Sequence, residues 1–158
     1  TPEKQLRIAS LRDEVSPAEW QARIDLAACY RLMEVYGMSD MGANHVSLRV
    51  PGEPGHFLIN PYGMLYEEMT ASSMIKIDHE GNIVRKTDFG DFDYGVNRAG
   101  FVIHSAIHEA KPEIDCVIHT HTWPGMAVCT FPPCFLPFPW RKSRPWATCP
   151  MPGARRRC

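Results

Sequence analysis

The sequence predicts an α/β layered domain with a mixed sheet, because helical and strand-like segments alternate along its first 130 residues. An amphipathic helix over 17–35 comes first, and two antiparallel hairpins over 46–59 and 74–84 follow. A second helix over 98–110 then leads into a strand over 115–121. At 158 residues the chain has the length of one domain and can bury a core without disulfides or metals.

The first helix has clear start and stop signals. Ser16 can cap it, Pro17 suits its first position, and Glu19 completes a capping box. Gly37 provides a left-handed stop. The residues expected on its buried face are Trp20, Ile24, Ala27, Ala28, Leu32 and Val35.

The two hairpins are predicted from alternation and turn chemistry. Strands over 46–50 and 56–59 flank the Pro- and Gly-rich turn at 51–55. A second pair of strands, over 74–78 and 82–84, flanks a turn that contains Gly81.

The second helix is predicted to bury an apolar face and expose a polar one. Its expected core residues are Ile103, Ala106, Ile107 and Ala110. His104 and His108 lie one turn apart and are expected on the opposite face. Residues 123–128 are predicted to open a further helix after the strand at 115–121.

Charge divides the chain into two unlike parts. The net charge is −1, yet residues 1–130 carry all 18 acidic residues and 11 of the 17 Lys and Arg, whereas residues 131–158 carry six bases and no acid. Near-neutral charge argues against a nucleic-acid partner. No apolar run reaches membrane length, residues 1–5 are too polar to be read as a signal peptide, and the cysteines of residues 1–130 form no Cys-x-x-Cys pair. We therefore expect a cytoplasmic protein with no membrane partner.

The segment 131–158 is rich in Pro, Arg and Cys, and it does not read as a helix or a central strand. Our hypothesis is that the chain is truncated or frameshifted near residue 130, so that 1–130 is a partial domain. The alternative is a genuine basic, disordered tail that binds an acidic partner.

His119 and His121 are the strongest candidates for chemistry. Residues at i and i+2 of a strand point to the same face, with Cα atoms about 6.6 Å apart, so both imidazoles can approach one cation. Imidazole suits Zn²⁺ and similar metals. His104 or His108 could be a further ligand or a partner behind the ligands. The alternative to a metal site is a pair of polar residues at a sheet edge with no ligand.

A second candidate is the loop-to-strand junction that contains Asn44, His45 and Ser47. Short polar side chains and backbone N–H groups there could bind an anionic substrate. The simpler interpretation is a turn that begins a strand. Asn60 and Gly63 belong to a similar turn and are kept as substrate-binding candidates.

Several ordered blocks together resemble the class II aldolase/adducin family, in its N-terminal catalytic-domain region. The resemblance covers roughly residues 16–130. The matching blocks are 23–32 with Tyr36-Gly37, 44–52, 57–63, 67–72, 97–105 and 117–122.

The resemblance implies a three-layer α/β/α sandwich with a largely antiparallel central sheet, incomplete at its C-terminus. It also implies a divalent metal, usually Zn²⁺, held by His119, His121 and a third, later histidine. The implied activity is a lyase that cleaves a C–C bond of a small carbonyl or carboxylate compound by Lewis-acid catalysis. Family members form homo-oligomers, often tetramers.

The Asn-Arg-Ala-Gly-Phe run at 97–101 resembles the adducin-like or decarboxylase-like branch of the family, and the chain departs from the sugar-phosphate aldolases at three points. The sugar-phosphate aldolases carry a catalytic acid where this chain has Gly100, so the catalytic residue is unassigned. His45 replaces the Asn of their phosphate loop, and no histidine follows His121. The alternative function is therefore a non-catalytic, adducin-head-like oligomerisation or scaffold module.

Overall fold

The computed structural model describes residues 3–40 and 42–130, and within them a five-stranded sheet lies between two helices. The strands are β1 (His45–Val50), β2 (Glu53–Ile59), β3 (Ile75–Asp78), β4 (Ile83–Arg85) and β5 (Cys116–His119). Their order across the sheet is β4-β3-β2-β1-β5, and all four neighbouring pairs are antiparallel. The largely antiparallel α/β fold is thus confirmed.

Helix α1 (Pro17–Val35) begins as predicted, since the Ser16 side chain accepts a hydrogen bond from the backbone N–H of Glu19. Gly37 follows it with φ of 63°. The predicted buried face is wrong, because Ile24, Leu32 and Val35 are exposed. The residues that α1 buries are Glu19, Ala22, Arg23, Leu26, Ala27, Tyr30 and Met33. Two of these buried residues, Glu19 and Arg23, are charged. A prediction based only on apolar residues therefore places the buried face about one residue further along the helix, a rotation of ~100°.

Alternation along β1 gives the sheet two chemically different faces. Val46 and Val50 join the apolar core beneath α1, together with Leu58 of β2. His45 and Ser47 point to the other face, where helix α2 (Arg98–Ala110) packs. The layer between the sheet and α2 is therefore partly polar at β1, whereas the β1 side chains beneath α1 are apolar.

Helix α2 also buries a different face from the predicted one. Ile103 is half exposed and Val102 is 54 % exposed, whereas His104 and His108 are almost completely buried. The predicted assignment of these histidines to the exposed face is thus corrected. The physical reason is that polar β1 side chains lie opposite them and satisfy their hydrogen bonds.

Phe101 supplies the apolar contact of α2 with the sheet. It packs against a small cluster on the same face of β2 and β3. The cluster consists of Phe57, Ile59, Ile75 and Ile77.

Residues Trp123–Thr130 form helix α3, which confirms the helix expected from 123. It belongs to a separate compact unit that starts at Thr122. Residues 131–158, on which the frameshift hypothesis rests, lie outside the described part of the chain. Among the described helices, none is both long and apolar enough to cross a membrane.

Candidate active site

The site begins with a pair of histidines on neighbouring strands. His45 of β1 and His119 of β5 are directly opposite in the antiparallel register. Their rings stack with centroids 4.7 Å apart and an interplanar angle of 16°. Opposed residues of an antiparallel pair share a face, so both imidazoles lie on the α2 side of the sheet.

His121 extends this pair beyond the end of β5. Its Nε2 atom lies 2.9 Å from Nε2 of His119, and the two rings are nearly perpendicular. The structure thus brings together the two histidines that the sequence singled out.

Asp40 fixes the orientation of His121. Its Oδ2 atom lies 2.8 Å from Nδ1 of His121, so Nδ1–H donates to the carboxylate, and in the neutral ring this leaves the lone pair on Nε2. A carboxylate on the far nitrogen is the usual arrangement of metal-binding histidines. Asp40 was not singled out from the sequence, where it is one of many acids in polar segments.

The side chains of His119 and His121 could provide two ligands of a metal site. His119 and His121 present two imidazole nitrogens to one point, and a catalytic zinc site holds three protein ligands. Within residues 3–40 and 42–130, no group of three or more His, Cys, Asp or Glu side chains is arranged to hold a metal. A third ligand, if a metal binds here, would have to lie outside these residues.

A buried chain of hydrogen bonds runs from His45 into the layer beneath α2. His45 Nδ1 lies 2.8 Å from His104 Nε2, and His104 Nδ1 lies 2.6 Å from Ser47 Oγ. The same Oγ lies 2.8 Å from His108 Nε2. Both ring nitrogens of His104 are thus engaged, which places it behind His45 as a supporting partner.

Burial keeps these imidazoles neutral at pH 7. It lowers the pKa of His45 to about 4, with smaller contributions from His119 and His121. It lowers the pKa of His104 to about 3 and that of His108 to about 4, where Arg49 adds to the effect. The pKa of His119 is also lowered by burial. Neutral imidazoles keep one lone pair each, as metal or hydrogen-bond acceptors require.

A cavity of about 650 Å³ opens beside the histidine pair, a volume suited to a small ligand. His45 and His119 form part of its wall, to which Tyr62 and Asn97 also contribute. The full set of lining residues is Asp40, Gly42, Ala43, His45, Tyr62, Asn97, Ala99, Ile103 and His119.

The predicted substrate-binding residues take different places around this cavity. His45 lines it. Asn44 is buried and donates to the Met38 carbonyl, and Asn60 accepts from the Tyr30 hydroxyl. Ser47 belongs to the buried chain, and Gly63 forms a turn with φ of 91°. None of these four positions is among the residues that line the cavity.

Gly100, at the position of the expected catalytic acid, faces the His45 ring. A Cβ atom at Gly100 would lie 2.5 Å from Cδ2 and 2.7 Å from Nε2 of His45. The imidazole therefore occupies the space into which a side chain at position 100 would project.

We expect Gly100→Ala to destabilise the protein by about 1–2 kcal/mol, because overpacking outweighs the helix propensity that Ala gains over Gly. His45 cannot move aside, since it is stacked on His119 and bonded to His104. Denaturant unfolding measures the change. Gly55→Ala is the matched control, because its Cβ would meet nothing within 4 Å. Equal effects of the two substitutions would contradict this account.

The chain belongs to the class II aldolase and adducin family. Residues 24–148 match the Class II Aldolase and Adducin N-terminal domain, a range that includes part of the segment after residue 130. The chain is 51 % identical over 128 residues to a Caulobacter vibrioides protein that carries a provisional aldolase class 2 name. This covers 81 % of the chain and 48 % of that protein.

Similarity extends to adducins and to solved aldolase structures. Rat alpha-adducin is 49 % identical over 106 residues, which cover 67 % of the chain and 14 % of the adducin. An aldolase II superfamily protein from Pseudomonas syringae superposes with a TM-score of 0.69 at 48 % identity, covering 77 % of this chain and 47 % of that one. L-fuculose 1-phosphate aldolase from Glaciozyma antarctica gives 0.63 at 32 % identity, covering 80 % and 48 %.

Proposed function

We propose that this chain provides two of the metal ligands of a divalent-metal-dependent lyase that cleaves a C–C bond of a small carbonyl or carboxylate compound. The observation that carries the proposal is the 2.9 Å approach of the His119 and His121 Nε2 atoms, with Asp40 on the far nitrogen of His121. Kinship with proteins named as aldolases supports the reaction class.

The proposed ligands are His119 and His121, and imidazole nitrogens favour Zn²⁺ among common metals. A divalent cation held by these two histidines would supply Lewis-acid chemistry, polarising a substrate carbonyl and stabilising the negative charge of C–C cleavage. Asp40 holds the His121 ring, and the cavity walls keep the substrate beside the ligands.

The chain spans about half the length of the aldolase relatives it matches. In our proposal the third ligand and the residue that transfers protons to the substrate belong to the remainder of the complete protein. A homo-oligomer in the cytoplasm completes the proposal, by analogy with the family.

Metal binding tests the ligand assignment directly. We expect the chain to bind Zn²⁺ weakly, and His121→Ala to abolish that binding, because one imidazole remains. Asp40→Asn should reduce the affinity about 10- to 100-fold, since a partner of a ligand is weakened. Titration calorimetry on folded protein measures both.

His79→Ala is the matched control, because His79 lies in the β3–β4 turn and contacts Phe57 and Ser105 rather than His119 or His121. It should bind Zn²⁺ as the unsubstituted chain does. If His121→Ala binds Zn²⁺ with the affinity of the unsubstituted chain, the ligand assignment is wrong.

Gly100 favours a second candidate, a non-catalytic module related to the adducin head. A glycine cannot act as an acid, and the chain is 49 % identical to rat alpha-adducin over the aligned part. If the complete protein folds and assembles but binds no divalent metal, the scaffold function replaces the lyase. If it binds metal through His119 and His121, the lyase is favoured.

A further inference from the structure

Buried hydrogen bonds join His45, His104, Ser47 and His108 in a single series, referred to below as the file. The donor and acceptor of each bond in the file depend on those of the next bond. A neutral imidazole has one N–H donor and one lone pair. The proton position on the last ring therefore fixes the position on each ring before it. The three imidazoles are 0–4 % exposed, and Ser47 is fully buried, so water does not replace a link within the file.

The direction is set at His108. Its Nδ1 atom lies 3.3 Å from the carbonyl oxygen of Ile114, which can only accept. Arg49 lies 3.4 Å from the same nitrogen, but its guanidinium donates to the His108 carbonyl at 2.7 Å and to the Ile114 carbonyl at 3.3 Å. Because Arg49 has these better acceptors, the proton of His108 resides on Nδ1, and its Nε2 accepts from the Ser47 hydroxyl.

The remaining links follow from His108. Since the Ser47 hydroxyl proton points to His108, its oxygen accepts from Nδ1–H of His104. Nε2 of His104 then carries the lone pair and accepts from Nδ1–H of His45. The Nε2 atom of His45 is left with a lone pair.

We propose that His45 is a substrate-contacting residue, whose Nε2 lone pair accepts a hydrogen bond from a hydroxyl group of a small hydroxy-carbonyl substrate. His45 forms one wall of the cavity beside His119, and the missing side chain at Gly100 leaves room for its ring. His104, Ser47 and His108 are positioning residues that fix the His45 tautomer. The inference rests on the proposed lyase function and specifies a substrate group that its site recognises.

The tautomers can be observed without a substrate. Nitrogen-15 NMR of histidine side chains in the full 158-residue chain at neutral pH should show His45, His104 and His108 all protonated on Nδ1. A His45 that is protonated on Nε2 overturns the proposal, because that ring would present a donor to the cavity.

Substitutions at Ser47 test whether the hydrogen bonds of the file determine the tautomer of His104. Ser47→Ala should reduce the Nδ1–H preference of His104 by about tenfold, since a neutral hydrogen bond is lost. Ser47→Thr should restore the preference, because it retains the hydroxyl. Ser105→Ala is the control, since Ser105 is a buried serine on α2, beside His104, whose hydroxyl donates to the His79 carbonyl instead. An unchanged preference in Ser47→Ala contradicts the positioning role.

Binding of dihydroxyacetone, used as the hydroxy-carbonyl probe, separates substrate contact from metal contact. His45→Phe keeps the ring stack and removes both nitrogens. In the Cd²⁺-loaded chain it should weaken dihydroxyacetone binding about tenfold and leave Cd²⁺ affinity unchanged. Unchanged dihydroxyacetone affinity, or an equal loss of Cd²⁺ affinity, overturns the proposal. Failure of the unsubstituted chain to bind Cd²⁺ would instead overturn the proposed function on which it rests.

Discussion

Replacing Glu19 with Gln should lower the free energy of unfolding by about 3–5 kcal/mol, the usual effect of breaking a buried ion pair from one side. Glu19 is 2 % exposed and receives two cations, with Arg23 at 2.8 Å and Lys76 at 2.9 Å. Arg23 is fully buried, and Lys76 is 6 % exposed. Without the carboxylate, Arg23 keeps neutral partners such as the carbonyls of Met74 and Ala71, whereas Lys76 keeps Glu53 at 2.6 Å.

Glu14→Gln is the matched control for this substitution. Glu14 pairs with Arg85 at 2.8 Å, but both side chains are at least 40 % exposed. An exposed pair of this kind contributes about 0–1 kcal/mol. Guanidinium unfolding of the two variants at pH 7 measures the difference, and a Glu19 effect as small as that of Glu14 would show that water reaches the buried charges.

Sequence patterns predicted the elements better than they predicted the faces. Capping at Ser16 and the Gly37 stop place α1 correctly because these signals are local. The face of α1 depends on Lys76, which is 57 residues from Glu19 in the chain. When a charged residue is buried because of a partner far away in the sequence, the neighbouring residues give no sign of its burial. Counting apolar residues then selects the wrong face of the helix.

The candidate site shows the same division. The spacing of His119 and His121 indicated a pair on one face, and the structure brings the two rings together. The role of His45 had a usable signal, since His45, Ser47 and Arg49 alternate with Val46 and Leu48 along β1. That pattern predicts one polar face, and only the antiparallel register shows that this face lies beside His119.

Asp40 could not have been found in this way. It lies 81 residues before His121, in a polar segment with no regular spacing. Its contact depends on the path of the chain between α1 and β1. Such partners of a site follow from tertiary structure rather than from motif spacing.

Acid should destabilise the folded chain between about pH 6.5 and pH 3, because His104 and His108 are buried as neutral rings. Their pKa values are lowered from 6.5 to about 3 and about 4, chiefly by burial. In this window the unfolded chain binds more protons than the folded one, so stability rises with pH. The contribution is complete above pH 6.5 and is lost as the pH falls through these values, by up to about 1.4 kcal/mol per pH unit for each ring.

Urea unfolding midpoints between pH 7.5 and pH 4 measure this dependence. His108→Gln should have a shallower slope than the unsubstituted chain, because one proton-binding group is removed from the unfolded state while Ser47 and Arg49 keep an amide partner. The slope of the variant, rather than its stability at pH 7, carries the test, since the substitution also alters packing. A midpoint that stays constant from pH 6.5 to pH 4 would mean that the two rings titrate normally in the folded chain. The file from His45 to His108 would then be open to water, and the fixed tautomer at His45 would lose its physical basis.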